Sequence, residues 1–188
     1  MKTLTTLSLI GALALSTTAF ADDPAPTPEP STPSASKQCR TERSAMGLAL
    51  FRMTYGTNKN KHNAFGKCVS KRTHATTEAA KDAKQNASKD CTAEETADPA
   101  AFKAKYGTGK NGANAHGKCV SQKAKSETAK TVKDEVKADV SAAKACKTER
   151  KADPAAFREK YGTNKNKRNA FGKCVSKTVK ENETSTQA

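Results

Sequence analysis

The apolar residues of this chain recur in one arrangement, three times over. An aromatic pair four residues apart, Phe51 and Tyr55, is followed by Gly56, a polar loop and the block Ala64-Phe65-Gly66-Lys67-Cys68-Val69. The same order returns with Phe157 and Tyr161 ahead of Ala170 to Val175, and more loosely with Phe102 and Tyr106 ahead of Ala115 to Val120. Residues four apart share one face of a helix, so each pair predicts a short helix with one apolar edge. Asp98-Pro99 and Asp153-Pro154 predict its start, because the carboxylate accepts from the first free N–H groups and proline suits the first helical position. Gly107 and Gly162 predict its end. A second helix is expected to start near Asn63, Asn114 and Asn169 as caps, with Phe65, Cys68 and Val69, or Phe171, Cys174 and Val175, on one side. Two apolar edges joined by a short polar loop make a helical hairpin.

Six cysteines punctuate these units, one before each aromatic pair and one inside each second helix. Six cysteines allow 15 connectivities, but a unit copied three times is most simply closed on itself, as Cys39 with Cys68, Cys91 with Cys119 and Cys146 with Cys174. Units of this size fall below the length at which apolar burial alone suffices, and each bond adds about 2 to 4 kcal/mol. No Cys-x-x-Cys pair suggests redox exchange. Zinc is the sharper alternative, but two cysteines per unit fall short of four ligands, and His116 occupies the slot of Phe65 and Phe171 as an apolar-edge substitute.

The rest of the chain reads as address and spacing. Residues 1–21 combine Lys2, an apolar run over Leu7 to Leu15 and Ala19-Phe20-Ala21, the pattern of a secretory signal peptide cleaved near Ala21. The run is too short for a membrane span of about 20 residues. Residues 22–37 hold five of the seven prolines and read as an extended, disordered spacer. Module 1 (38–71), module 2 (91–122) and module 3 (146–177) follow, separated by connectors 72–90 and 123–145, with a disordered tail over 178–188. The connectors are rich in helix formers, and Val132, Val136 and Val140 draw a narrow apolar stripe, read as an exposed or partly frayed helical spacer in preference to a coiled-coil or membrane-surface helix. The expected fold is all-α: three small disulfide-stapled helical-hairpin repeats joined by Ala/Lys/Glu-rich helical or flexible connectors.

Charge narrows the partners. Thirty-four Lys and Arg against 19 Asp and Glu give +15, with a mean hydropathy of −0.81 and no Trp. Such a surplus favours phosphates, anionic polymers or anionic surfaces. The low hydropathy and the lack of Trp argue for several small units rather than one large core. Gly107-Thr-Gly109-Lys-Asn-Gly112 matches a dinucleotide glycine pattern, and Gly112 to Cys119 approximates a phosphate loop, but no strand precedes either. The exchange of Asn58, Gly109 and Asn164 at one loop position instead suggests a left-handed backbone there. No nucleophile, base and orienting group recur together, so no catalytic residue, metal site or cofactor is assigned.

What recurs is basic and amide-bearing: Lys59, Asn60 and Lys67; Lys110, Asn111 and Lys118; Lys165, Asn166 and Lys173. Lysines flanking an open helix start could hold a phosphate or carboxylate, while each asparagine also has a local turn or cap role. Three such sites on spacers would raise avidity for a repetitive polymer.

The block Tyr55 to Ser70, with its copy from Tyr161 to Ser176, resembles a repeat of small exported bacterial proteins of uncharacterised function. The resemblance spans the three modules and implies no activity, ligand or catalytic residue. The middle copy departs from it at Gly109, Gly112, Ala113 and His116. Taken together, the expectation is a secreted or periplasmic, envelope-associated protein without catalysis. It would bind, or build structure on, an anionic envelope or extracellular polymer. Extracellular nucleic acid is the alternative partner, weakened because no aromatic residues interleave with the connector lysines. Oligomeric state is left open.

Overall fold

A computed structural model describes residues 31–186 except Lys110, so the expected signal peptide and most of the proline-rich spacer lie outside the described residues. The described residues form α1 (Ala35–Met46), α2 (Leu48–Tyr55), α3 (Ala64–Ala97), α4 (Pro99–Tyr106), α5 (Ala115–Ala152), α6 (Pro154–Tyr161) and α7 (Ala170–Thr186), with no strand among them. The fold is all-α as expected, and the disulfides are Cys39–Cys68, Cys91–Cys119 and Cys146–Cys174. Each joins the helix before a short aromatic helix to the helix after it.

Local signals act where the sequence places them. Asp98 accepts from the N–H groups of Ala100 and Ala101 at 3.1 and 2.9 Å, and Asp153 from those of Ala155 and Ala156 at 3.0 and 2.9 Å. Module 1 has no Asp-Pro. There Gly47 divides α1 from α2 at φ 80°, a left-handed conformation that costs glycine nothing. Within each aromatic pair the ring centroids lie 4.9 to 5.0 Å apart, and Phe51, Phe102 and Phe157 are buried.

The glycine expectation holds and the asparagine one changes. Gly107 and Gly162 end the short helices as expected, as does Gly56, with φ between −70° and −75°. They are glycine because the loop folds back on them: a Cβ at Gly56 would lie 2.6 Å from the Arg52 carbonyl and 2.7 Å from Lys61 Cβ. Neither Asn58 nor Asn164 is left-handed. The left-handed residue common to the three loops lies three positions further on, at Lys61 (φ 61°), Gly112 (φ 57°) and Lys167 (φ 53°), although Gly109 has φ 102° as well.

The boundaries drawn from composition dissolve into long helices. The spacer ends early, since Ser34 caps α1 and residues 35–37 are already helical. Connector 72–90 is the middle of α3, and connector 123–145 is the middle of α5. The tail is helical to Thr186, not disordered from 178. Nor are the connectors exposed spacers. α3 and α5 pack antiparallel, with Ala79, Ala83 and Ala87 buried along one and Thr128, Val132, Ala142 and Ala143 along the other. Alanines four apart let two helix backbones approach closely, and Val132 is fully buried.

This hairpin places module 2 at one end and modules 1 and 3 together at the other. Module 2 keeps a small core of Cys91, Phe102, Tyr106, Ala115 and Cys119. Modules 1 and 3 share a larger one that contains both Phe51 and Phe157 and both of their disulfides.

A buried ionic cluster fixes that junction. Arg72, 1% exposed, donates through Nε to Glu42 on α1 and through Nη2 to Asp139 on α5, and its Nη1 reaches Glu135 at 3.2 Å. The Tyr55 hydroxyl donates to Glu42 and lies 3.2 Å from Asp139, which also accepts from Lys71 at 2.6 Å. Burial pushes the Glu42 carboxyl and the Tyr55 hydroxyl upward, so the phenol stays a neutral donor, and the two carboxylates hold Arg72 charged. Removing one partner of such a cluster strands a charge in the interior. Arg72→Ala is therefore expected to lower unfolding free energy by about 3–5 kcal/mol in urea titration; a change under about 1 kcal/mol, the scale of an exposed pair, would contradict this role.

Candidate functional site

The three loops between short and long helices share one internal structure. Asn63 accepts on Oδ1 from Thr57 N–H at 3.0 Å and donates from Nδ2 to Thr57 Oγ1 at 2.7 Å; Asn114 with Thr108 and Asn169 with Thr163 repeat it. These asparagines precede α3, α5 and α7 as expected, but the side chains of Asn63 and Asn114 tie the loop rather than cap the helix. Asn60 and Asn166 close smaller turns by accepting from the N–H groups of His62 and Arg168, each at 3.2 Å.

The expected set does not form three equivalent sites. Lys67, Lys118 and Lys173 are exposed on the second helices, and Asn111 and Lys165 are exposed in their loops. Lys110 lies outside the described residues. Lys59 and Asn166, by contrast, line one cleft of about 1190 Å3 between the module 1 loop and module 3. Module 1 supplies Lys59 and Lys61 to it; module 3 supplies Lys147, Arg150, Lys151, Arg158, Lys167 and Arg168. Among the described residues no Asp or Glu lines it. The floor is apolar, with Met53, Phe157 and Phe171. Arg150 bridges the two modules, its guanidinium 5.5 Å from the Phe171 ring centroid and its Nη1 2.7 Å from Met53 Sδ.

Most of these charges have no internal counterion. Lys167 pairs with Glu159 at 3.3 Å, on a carboxylate 74% exposed, and its Nζ donates to the Gly162 carbonyl, as Lys61 Nζ does to that of Gly56. Among the described residues Lys59, Lys147, Lys151, Arg158 and Arg168 form no ion pair. Cations lining one cleft with so few counterions concentrate positive potential there. Lys61 and Lys167 add backbone strain, since a left-handed non-glycine residue costs about 1 to 2 kcal/mol.

Module 2 is an internal control for what the fold itself needs. At the positions of Lys147, Arg150, Lys151, Lys167 and Arg168 it carries Thr92, Glu95, Thr96, Gly112 and Ala113. It still forms the same hairpin, disulfide, aromatic pair and asparagine tie. These five cations of module 3 are therefore not required by the hairpin; the sixth, Arg158, has Lys103 at its place. The change at Glu95 also has a partner. Arg43 and Arg150 lie over Phe65 and Phe171 at 5.8 and 5.5 Å, whereas Glu95 meets His116 Nδ1 at 2.8 Å. His116 keeps the apolar-edge position, 6.4 Å from the Phe102 ring, and no metal-holding cluster occurs among the described residues.

One recurrent residue escaped the sequence reading. Three positions after each module's first cysteine stands a glutamate, Glu42, Glu94 or Glu149, and each accepts from that module's tyrosine hydroxyl. The constant Cys-x-x-Glu spacing carried the signal. In modules 2 and 3 the glutamate also takes a lysine, Lys105 at 2.6 Å or Lys160 at 2.8 Å. No protein-family model, curated protein or solved structure matches the chain.

Hydrogen bonding from Lys105, then Lys123, holds the Glu94 carboxyl down to about 2, and Lys160 holds Glu149 below its ordinary range. A depressed folded pKa gives stability that is present above the unfolded value of 4.5 and is lost as pH falls toward 2. Glu42 runs the other way, its raised value favouring the folded state below 4.5. NMR titration should therefore find Glu94 at about 2, and Lys105→Met should return it toward the usual carboxylate range; an ordinary Glu94 titration in the unmutated protein would refute the pairing.

Proposed function

We propose that this is a non-catalytic binding protein, exported to the periplasm, cell envelope or medium, that holds an anionic polymer in the cleft between modules 1 and 3. The observation that carries the reading is the eight Lys and Arg side chains lining that cleft without an acidic neighbour in its wall. Cations gathered this way attract polyanions and gain affinity by releasing the polymer's counterions. The loss of five of the six module 3 cations from module 2, which keeps only Lys103 at the place of Arg158 and whose hairpin is otherwise alike, supports a role beyond folding.

Three disulfides fit an oxidising compartment outside the cytoplasm, and the leader-like residues 1–21 fit the same destination. No described helix is long and apolar enough to cross a membrane. An envelope or extracellular polymer is favoured over nucleic acid because the cleft's aromatic rings, Phe157 and Phe171, are 2% and 6% exposed and present no face for bases to stack on.

The test is retention of the oxidised mature protein on isolated cell envelopes, with duplex DNA as comparison, at two salt concentrations. Envelope retention is expected to fall steeply with salt, in proportion to the number of anionic contacts. Retention that survives high salt and yields only to covalent digestion would sink the proposal.

A further inference from the structure

Building on the anion-binding reading, we infer that the cleft is a single composite site for a phosphate-dense chain, made jointly by the module 1 loop and module 3, and that module 2 binds none. The geometry argues for one site. Lys59 and Lys61 reach the cleft from module 1, and the remaining six cations come from module 3. The corresponding face of module 2 lies at the other end of the α3 and α5 hairpin, with Glu95 where module 3 has Arg150 and, among the described residues, no loop of another module opposite it.

Charge density argues for phosphate. The cube root of the cleft volume is about 11 Å, and eight cations line that space. An acidic peptide advances about 3.4 Å per residue, so over that length it offers only about three carboxylates, divided between the two walls. A polysaccharide spaces its acid groups by whole sugar rings. A condensed phosphate chain is charged at every unit and shows non-bridging oxygens in all directions, so it can answer cations arriving from two modules at once. The three guanidiniums, Arg150, Arg158 and Arg168, suit phosphate oxygens through paired N–H donors.

Module 2 supplies the substitutions for a test that spares the hairpin. Lys147→Thr, Lys151→Thr, Lys167→Gly and Arg168→Ala copy Thr92, Thr96, Gly112 and Ala113, and Lys167→Gly places glycine where module 2 has it at φ 57°. Short inorganic polyphosphate would be titrated calorimetrically into the mature, disulfide-bonded chain, into this fourfold variant and into the single Lys167→Gly variant. Lys118→Ala in module 2 serves as control, polyglutamate of similar charge as the competing polyanion, and urea midpoints report folding.

The expected result is one polyphosphate per chain, preferred over polyglutamate, with binding unchanged by Lys118→Ala. The fourfold variant should fold and bind at least about tenfold more weakly, with the slope of log affinity against log salt shallower by about 3, near 0.7 per lost contact. Lys167→Gly should weaken binding without lowering the urea midpoint. Equal binding of polyglutamate would overturn the phosphate assignment while leaving an anion site. Three equivalents per chain, or undiminished binding by a folded fourfold variant, would overturn the composite site. If the fourfold variant also held envelopes as the unmutated protein does, the cleft would lose its role in the broader reading as well.

Discussion

A guanidinium sealed from water must find its counterions inside the protein, and Arg72 finds them on two different helices. Glu42 comes from α1 and Asp139 from α5, so the charge can be satisfied only when module 1, α3 and α5 are together in one register. The penalty for failing is several kcal/mol, a large share of the net stability of any small domain. That is how a polar contact can fix an arrangement that alanine packing alone would leave free to slide. With α5 set against α1 and α3, module 3 is carried to the side of module 1, where Arg150 lies against Met53. The cleft is a downstream product of that placement.

Two kinds of constraint divide the labour. The disulfides are local, each closing a loop of 28 or 29 residues, and they work the same way in every module. The Arg72 cluster is long-range and, among the described residues, occurs once. Its counterparts in the other modules are half-buried versions of the same motif: Glu94 takes Lys105 and Lys123, and Glu149 takes Lys160. A tyrosine hydroxyl donates to the glutamate in all three. What differs is whether a neighbouring helix covers the site, and so whether the pair settles the hairpin alone or the relation between hairpins.

The sequence was legible wherever a residue acts on its near neighbours. Asp-Pro starts, glycine ends, aromatic pairs and disulfide partners could be read because their reasons lie within a few residues or within one copy of the repeat. It was not legible where partners are distant. Arg72 and Asp139 lie 67 residues apart in stretches whose composition is that of connectors, and nothing local distinguishes them from solvated charges. The buried alanines of α3 look like ordinary helix formers until α5 is laid against them. For the site, the basic and amide-bearing residues were seen but grouped by repeat, whereas the structure groups Lys59 and Asn166 across repeats. Nothing local sets Lys61, Lys147, Lys151 and Lys167 apart from ordinary surface lysines; the internal comparison with Gly112, Thr92 and Thr96 makes them informative.

The shared helices have a consequence for how such a chain can grow. Because α3 ends module 1 and begins module 2, and α5 ends module 2 and begins module 3, every added unit reverses direction. Sequence neighbours land at opposite poles, and units of the same parity become spatial neighbours. A fourth copy built by the same rule would stand beside module 2, not beside module 3. Parity, rather than order along the chain, therefore decides which surfaces can meet, and the even pole is free to diverge while the odd pole is held to its partner.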